Sequence, residues 1–402
     1  MIPLAPGIRD YDWGTRGEIS RLLGRTPTDR LEAELWIGAH PGFPTPTLDG
    51  GSVAERVASN PVAVLGEGVA DKFGGRLPFL VKVLAAGRPL SVQVHPTPEQ
   101  ARRGFAEEDA RGVPRDAPHR NYVDDQAKPE MMVALKPMRA LAGFRDPANA
   151  KADLVRLLGA PGGFAVWEEL HSVLSEADHA QALRGAMSLL LTGGAGADEL
   201  VRRLVEAASV APADDSTASV VRLLAEHHPG DRGIAVGALL NHVQLAPGEA
   251  VFLGAGTPHA YLQGLGVEVM STSDNVLRGG LTTKHIDVAE LLRIVQPAAT
   301  APHRLVPEER AVGDQVFRVP VGDFQLQRLH STAASEFEIE HHGPVVVLVV
   351  AGTAVLRTEA ATGHLERGHS VLLPAQERAP RLSAGPGGVL AFAATVGTCT
   401  GS

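Results

Sequence analysis

The chain reads as mainly β with an α-helical insertion. Three patterns predict this: short apolar strands among Gly and Pro in the first third, a central stretch with Leu and Val at helical spacing, and a return to strand pattern afterwards. In residues 1–145 the better strands are 36–37, 79–84 and 131–135, and a sheet domain is the natural reading. Between 146 and 230 the period changes. Segments 152–158, 180–191, 199–208 and 220–227 place Leu and Val at helical spacing with Arg and Glu between them. Asp146-Pro147 marks the start, because the residue before proline avoids the helical region, and Asp198 and Ser216 are candidate N-caps. After Pro229-Gly230 strands resume over 231–298. From 299 to 402 the runs 317–320, 324–329 and 344–352 add short strands at a spacing that suggests a jelly roll. The expected organisation is a first sheet part (1–145), a helical insertion domain (146–230), a second part of the same sheet domain (231–298) and a C-terminal jelly roll (299–402).

Composition narrows the function classes. With 402 residues, 44% of them hydrophobic, the chain can bury more than one core. A net charge of -9 without a basic stripe argues against a nucleic-acid partner. The start, Met1 to Gly7, has no basic region followed by an apolar run, and no stretch approaches the roughly 20 apolar residues that span a bilayer. The expectation is a cytoplasmic protein with no membrane partner, a monomer or weak homodimer. The single cysteine, Cys399, excludes an intramolecular disulfide and a thiolate zinc cluster, and reads as an incidental exposed thiol.

The chemistry begins at Ser91-Val92-Gln93-Val94-His95-Pro96, where alternation sends Gln93 and His95 from the same face of one strand. An amide and an imidazole on one face of a mostly apolar strand each need a polar partner, since an unpaired buried polar group costs a few kcal/mol. Lys128-Pro129-Glu130-Met131 brings a carboxylate, and Gly256-Thr257-Pro258-His259-Ala260-Tyr261 brings a second imidazole. Gln93, His95, Glu130 and His259 make a nitrogen and oxygen set suited to zinc or a neighbouring divalent metal, with a coordination position left for water or substrate. Each residue also has a plain reading: Gln93 bonded to a loop, His95 a satisfied core histidine, Glu130 paired with Lys128. His341, His342, His364 and His369 lack accompanying ligands and read as surface or packing residues. Because the first three candidate ligands precede the helices and His259 follows them, a shared metal would bring both sheet parts together.

These segments have company in a fixed order: Tyr11-Asp12-Trp13-Gly14, Ala33 through Pro41, Leu77 through Leu84, Pro89 through Pro96, Asn121-Tyr122 and Lys128 through Met131. They continue with Pro247-Gly248-Glu249-Ala250, Pro258-His259-Ala260-Tyr261, Val267-Glu268-Val269-Met270, Ser273 through Gly280 and Thr283-Lys284. The series resembles the type I mannose-6-phosphate isomerases, zinc enzymes of the cupin superfamily. The resemblance implies two cupin-type jelly-roll barrels plus the helical domain, one Zn2+ per chain, and interconversion of mannose 6-phosphate and fructose 6-phosphate through a cis-enediol. One position departs from the family pattern: Ala127 stands where a histidine commonly precedes Lys-Pro-Glu, so water, Asp125 or a nearby lysine would have to fill any role of that residue.

Under that resemblance the phosphate of the sugar would be met by Arg278, Lys284 and Lys82, with Ser91 adding a hydroxyl and Trp13 and Tyr261 shaping the pocket wall. Without the resemblance, Lys82 reads as a snorkelling edge residue and Arg278 as an ion pair with Asp274 or Glu268. Proton transfer falls among Lys128, Glu268 and Lys284. A dication near Lys128 would favour its neutral, base-competent form, whereas Glu268 needs no such help. Competing functions are a non-haem metal oxygenase, a catalytically silent sugar-binding cupin, and an isomerase of unphosphorylated mannose or another sugar phosphate. The Lys and Arg set speaks against the first, and retention of four ligands with Arg278 and Lys284 against the second.

Overall fold

The computed structural model describes residues 1–398, so Cys399 lies outside the described residues. Two large antiparallel sheets, a small two-stranded one (Thr15–Arg16 with Leu31–Glu32) and a helical group make up the described residues, in the cupin manner expected. The main path of the eleven-stranded sheet runs Arg304–Leu305, Ala250–Leu253, Glu130–Ala134, His259–Ser271, Phe79–Ala86, Glu34–Ile37 and Ile8–Arg9. Phe79–Ala86 is buried at every residue, as its unbroken apolar run around Lys82 suggests. It lies between two other strands, so Lys82 is no edge residue.

His259–Ser271 is the strand that organises the site. Its register shifts between Tyr261 and Gln263, and Gly264 at φ +132° passes so close to Met138 that a Cβ would meet the Met138 Cα at 2.7 Å. The resulting bend lets one strand pair His259 with Gln93 and Ala142 at one end, and Glu268 with Lys82 and Met132 further along.

The nine-stranded sheet follows the order Ile2–Leu4, Ser370–Leu373, Val345–Arg357, Arg381–Thr395, Gln325–Ser331, Asp314–Phe317 and Glu308–Ala311 along its main path. The first strand of the chain thus joins the sheet built by its last hundred residues. Phe79, Val83 and Val267 share one apolar cluster with Phe317, Phe324 and Phe392, which ties the two sheets together.

Helices Pro147–Leu158, His179–Thr192, Gly194–Val210 and Ser216–His227 stand where helical spacing predicts them, with Ala165–Val173 and Gly233–Ala238 added. Asp146 caps the first by accepting from the amides of Ala148 and Asn149. The other two cap expectations are corrected. Asp198 lies inside its helix, which follows Gly193, and pairs with Arg232 at 2.7 Å; the last cap is Asp215, one residue before Ser216. The first third also holds helices where only strands were expected, among them Val53–Ser59 and Pro98–Ala110. The latter is set by a Thr97/Gln100 capping box rather than by an apolar stripe.

The helical core includes Val92 and Val94, both fully buried there. Alternation then turns Gln93 and His95 to the opposite face, away from the helices and toward the sheet interior. Among the described residues no helix is long and apolar enough to cross a membrane.

Candidate metal centre

His95, Glu130 and His259 meet at the bottom of this interior and are 0%, 3% and 2% exposed. The Nε2 of His95 lies 3.3 Å from Glu130 Oε1, and the Nε2 of His259 lies 3.4 Å from Glu130 Oε2. Among the described residues this is the one group of three or more His, Cys, Asp or Glu whose ligand atoms all lie within 4.8 Å of one another. His341, His342, His364 and His369 belong to no such group, and His342 pairs with Glu340 at 3.4 Å.

Both imidazoles have their outer nitrogen committed. His95 Nδ1 donates to the Asn275 carbonyl at 2.7 Å, and His259 Nδ1 donates to the Thr257 carbonyl at 2.9 Å. That tautomer leaves a lone pair on each Nε2, the arrangement in which histidine binds metal. The buried Nε2 of His95 has no hydrogen-bond partner, an orphan that a cation would satisfy. Two ligands held about 2.0–2.1 Å from a tetrahedral ion lie roughly 3.3 Å apart, which matches both His–Glu separations. Burial, followed by the charge of Lys128, brings His95 down to about 4, so the imidazole is neutral and ready to ligate. Burial works against ionised Glu130, but Lys128 and the two histidines hold it well below the usual carboxylate range.

Gln93 stands directly opposite His259 on one side and Arg278 on the other, so the three occupy successive rungs of adjoining strands. Directly opposed residues share a face, which puts the Gln93 amide beside His259. Two strand spacings separate Arg278 from His259, about 10 Å at the backbone. Among the described residues Arg278 and Lys284 make no ion pair: Asp274 is engaged by His40 and Glu268 by Lys82. Arg278 is half-buried and Lys284 exposed. Burial lowers the pKa of both, Arg278 adding to the effect on Lys284, so each is a cation in want of an anion.

Above the ligands lies a row of buried charges. Lys128 Nζ is 2.9 Å from Glu130 Oε1. Lys82 Nζ lies 3.3 Å from Glu34 and 3.6 Å from Glu268, with the Trp36 ring 4.8 Å away. Burial opposes the Lys82 charge, yet the surrounding carboxylates keep it firmly protonated. Glu268 is pushed up to about 7, first by burial and then by the Glu130 charge, with Lys82 pulling the other way. The Tyr261 hydroxyl is buried without a hydrogen-bond partner, and burial beside Glu268 raises its pKa well above the ordinary value. Trp13 packs against the cluster containing Tyr261 and Leu90, and its ring stacks on Tyr11 at 5.6 Å. Ser91 is half-buried next to these residues, and Asp125 is turned to Arg76 at 3.5 Å.

Glu34 and Trp36 were not singled out as functional in the sequence. The local signal was only that Glu34 and Trp36, two residues apart in one strand, share a face; that Lys82 lies opposite Trp36 on the next strand is set by strand order. The Trp36 indole N–H donates to Glu34 at 2.8 Å, so the pair forms a preset wall for the lysine.

Known proteins share this arrangement of the whole chain. Residues 1–147 match the family model for the phosphomannose isomerase type I catalytic domain. A mannose-6-phosphate isomerase of Salmonella typhimurium is 38% identical over 387 residues, covering 94% of this chain and 95% of its own; that of Escherichia coli K12 is 37% identical over 384 residues, with the same coverage. A crystal structure of mannose 6-phosphate isomerase bound with zinc and yttrium superposes with a TM-score of 0.86 at 35% identity, covering 98% of each chain.

Proposed function

This chain belongs to the mannose-6-phosphate isomerase family, and from that premise we propose how its residues divide the work of interconverting mannose 6-phosphate and fructose 6-phosphate. It is a zinc-dependent aldose-ketose isomerase. Gln93, His95, Glu130 and His259 are the residues that hold the metal. When bound, zinc supplies positive charge that polarises the sugar carbonyl and offsets the negative charge developing on its oxygen.

Arg278 and Lys284 take the phosphate, Arg278 as a planar two-pronged donor and Lys284 as a mobile charge at the rim. The lack of a carboxylate ion-pair partner at either cation among the described residues, with Arg278 one rung from Gln93, is the observation that carries the phosphorylated substrate over a free sugar. Ser91, Trp13 and Tyr261 bound the sugar between phosphate and ligands. Isomerisation requires a proton to leave C2 of the aldose and arrive at C1 through a cis-enediol, so the enzyme needs a group that both accepts and donates near neutral pH. Glu268 is suited to that, because its environment holds it close to half-protonated at neutrality. Lys82, fixed between Glu34 and Glu268, keeps Glu268 from rising further. Lys128, on the ligand side, donates to oxygen at the reacting carbons. The absence of an imidazole at Ala127 leaves these residues to serve ring opening as well as isomerisation.

The test is turnover in D2O. A cis-enediol route exchanges the migrating hydrogen with solvent, so product and recovered substrate acquire deuterium at C1 or C2. Turnover with complete retention of the original hydrogen would sink the proton-transfer reading in favour of a hydride shift.

A further inference from the structure

The loop after His259–Ser271 carries the buried Asn275, whose carbonyl orients His95, and one side of the loop borders open space. Ser271 through Asp274 face a cavity of about 480 Å3 whose other walls include His40, Phe73 and Leu77. On that side the close contacts that hold a core side chain in place are missing, and hydrogen bonds supply part of the hold. Asp124 accepts from the Asp274 amide at 2.9 Å and from the Ser273 hydroxyl at 2.9 Å. The Asn275 side chain accepts from the Val123 amide and donates to the carbonyls of Asp124 and Gln126, each at 2.8 Å. These bonds join two loops to one another. Thr272 holds the start of the loop to the Pro78 and Leu77 carbonyls at 3.1 and 3.2 Å, just before Phe79–Ala86, and His40 adds a side-chain tie at Asp274, next to Asn275.

His40 is 4% exposed and follows the strand Glu34–Ile37. Its Nδ1 accepts the Gly42 N–H at 3.1 Å, which puts the ring proton on Nε2, and Nε2 donates to Asp274 Oδ1 at 3.2 Å. Its ring is set edge-on to Trp36 with centroids 4.7 Å apart, and Trp36 in turn lies against Lys82. We propose that His40 is a positioning residue for the metal centre: through Asp274 it anchors the loop whose next residue, Asn275, holds the Nδ1–H of His95. This inference rests on the reading of His95 as a metal ligand.

The experiment measures the zinc dissociation constant of the full-length chain by competition with a chromophoric chelator. His40→Ala and Asp274→Ala should each weaken zinc binding about 10- to 100-fold, the usual effect of losing an outer partner of a ligating histidine. Their double variant should be no weaker than either single one, because both remove the same tether. His40→Gln, whose side-chain N–H reaches Asp274, should recover most of the affinity. A His40→Ala protein with unaltered zinc affinity, or losses at the two positions that multiply, would overturn the proposal. If His40→Ala does not fold, His40→Gln against Asp274→Ala decides it: equal loss in both contradicts the tether. His259→Ala separates the premise from the inference. If it still binds zinc, the ligand assignment is wrong; if it loses zinc while His40→Ala keeps it, only the tether is.

Discussion

Replacing Lys82 with methionine keeps the volume of the side chain and removes the one cation between Glu34 and Glu268. At separations of 3.3 and 3.6 Å each contact is worth roughly 5 kcal/mol at an effective dielectric of 20, before the cost of burying the charges is set against it. Breaking a buried ion pair by deleting one partner typically leaves a net loss of about 3–5 kcal/mol. The loss should depend on pH in a defined direction. Glu268 already lies above its ordinary value at about 7, and Lys82 is among the charges holding it down, so the variant raises it further. A carboxylate raised in the folded state contributes stability that is fully present below its unfolded value and is lost as pH rises through the folded value. Lys82→Met should therefore be most destabilised at pH 8 and less so at pH 5, by up to about 1.4 kcal/mol for each unit that Glu268 rises, the full amount being reached only where the pH lies well above the raised value. Urea unfolding at the two pH values measures this, with zinc content unchanged. An equal loss at both would refute the charge row as described.

His259→Ala should remove both bound zinc and turnover, since it takes away a ligand and the partner of Glu130 Oε2; zinc analysis beside a rate assay checks it. Arg278→Ala should keep zinc but lower kcat/KM for the phosphorylated sugar about 10- to 100-fold, the value of one charged hydrogen bond of roughly 1.5–3 kcal/mol, and inorganic phosphate should inhibit it less than the unaltered chain. Tyr261→Phe should leave the melting temperature nearly unchanged in the metal-free protein, because its buried hydroxyl has no partner to lose. A drop of several degrees would show that the hydroxyl is bonded.

The parts of the fold that a local pattern dictates were legible in the sequence. The fully buried strand around Lys82 announces itself as an apolar run, and the helices from Pro147 to His227 as Leu and Val at helical spacing. Cap positions were less so: Ser216 has the chemistry of a cap, but Asp215 beside it has the same chemistry and takes the place. Pro98–Ala110 escaped because its exposed, charged face hides the periodicity, although Thr97 and Gln100 spell its start. At the site, Gln93 and His95 could be read as one face from their spacing alone. Glu34 against Lys82, His40 against Asp274 and Asn275 against His95 could not, because each is set by strand order. The last joins residues 180 positions apart. No spacing rule reaches that far. Lys82 shows the same limit, since only the neighbouring strands reveal that its charge lies between two carboxylates.

The most direct measurement is a coupled assay of the purified chain on mannose 6-phosphate, run as isolated, after chelation and after zinc is restored, with free mannose in parallel. Turnover of the phosphate ester should disappear on chelation and return with zinc, with free mannose converted far more slowly. Full activity after chelation would contradict the metal centre, and equal activity on free mannose would contradict Arg278 and Lys284 as the phosphate donors.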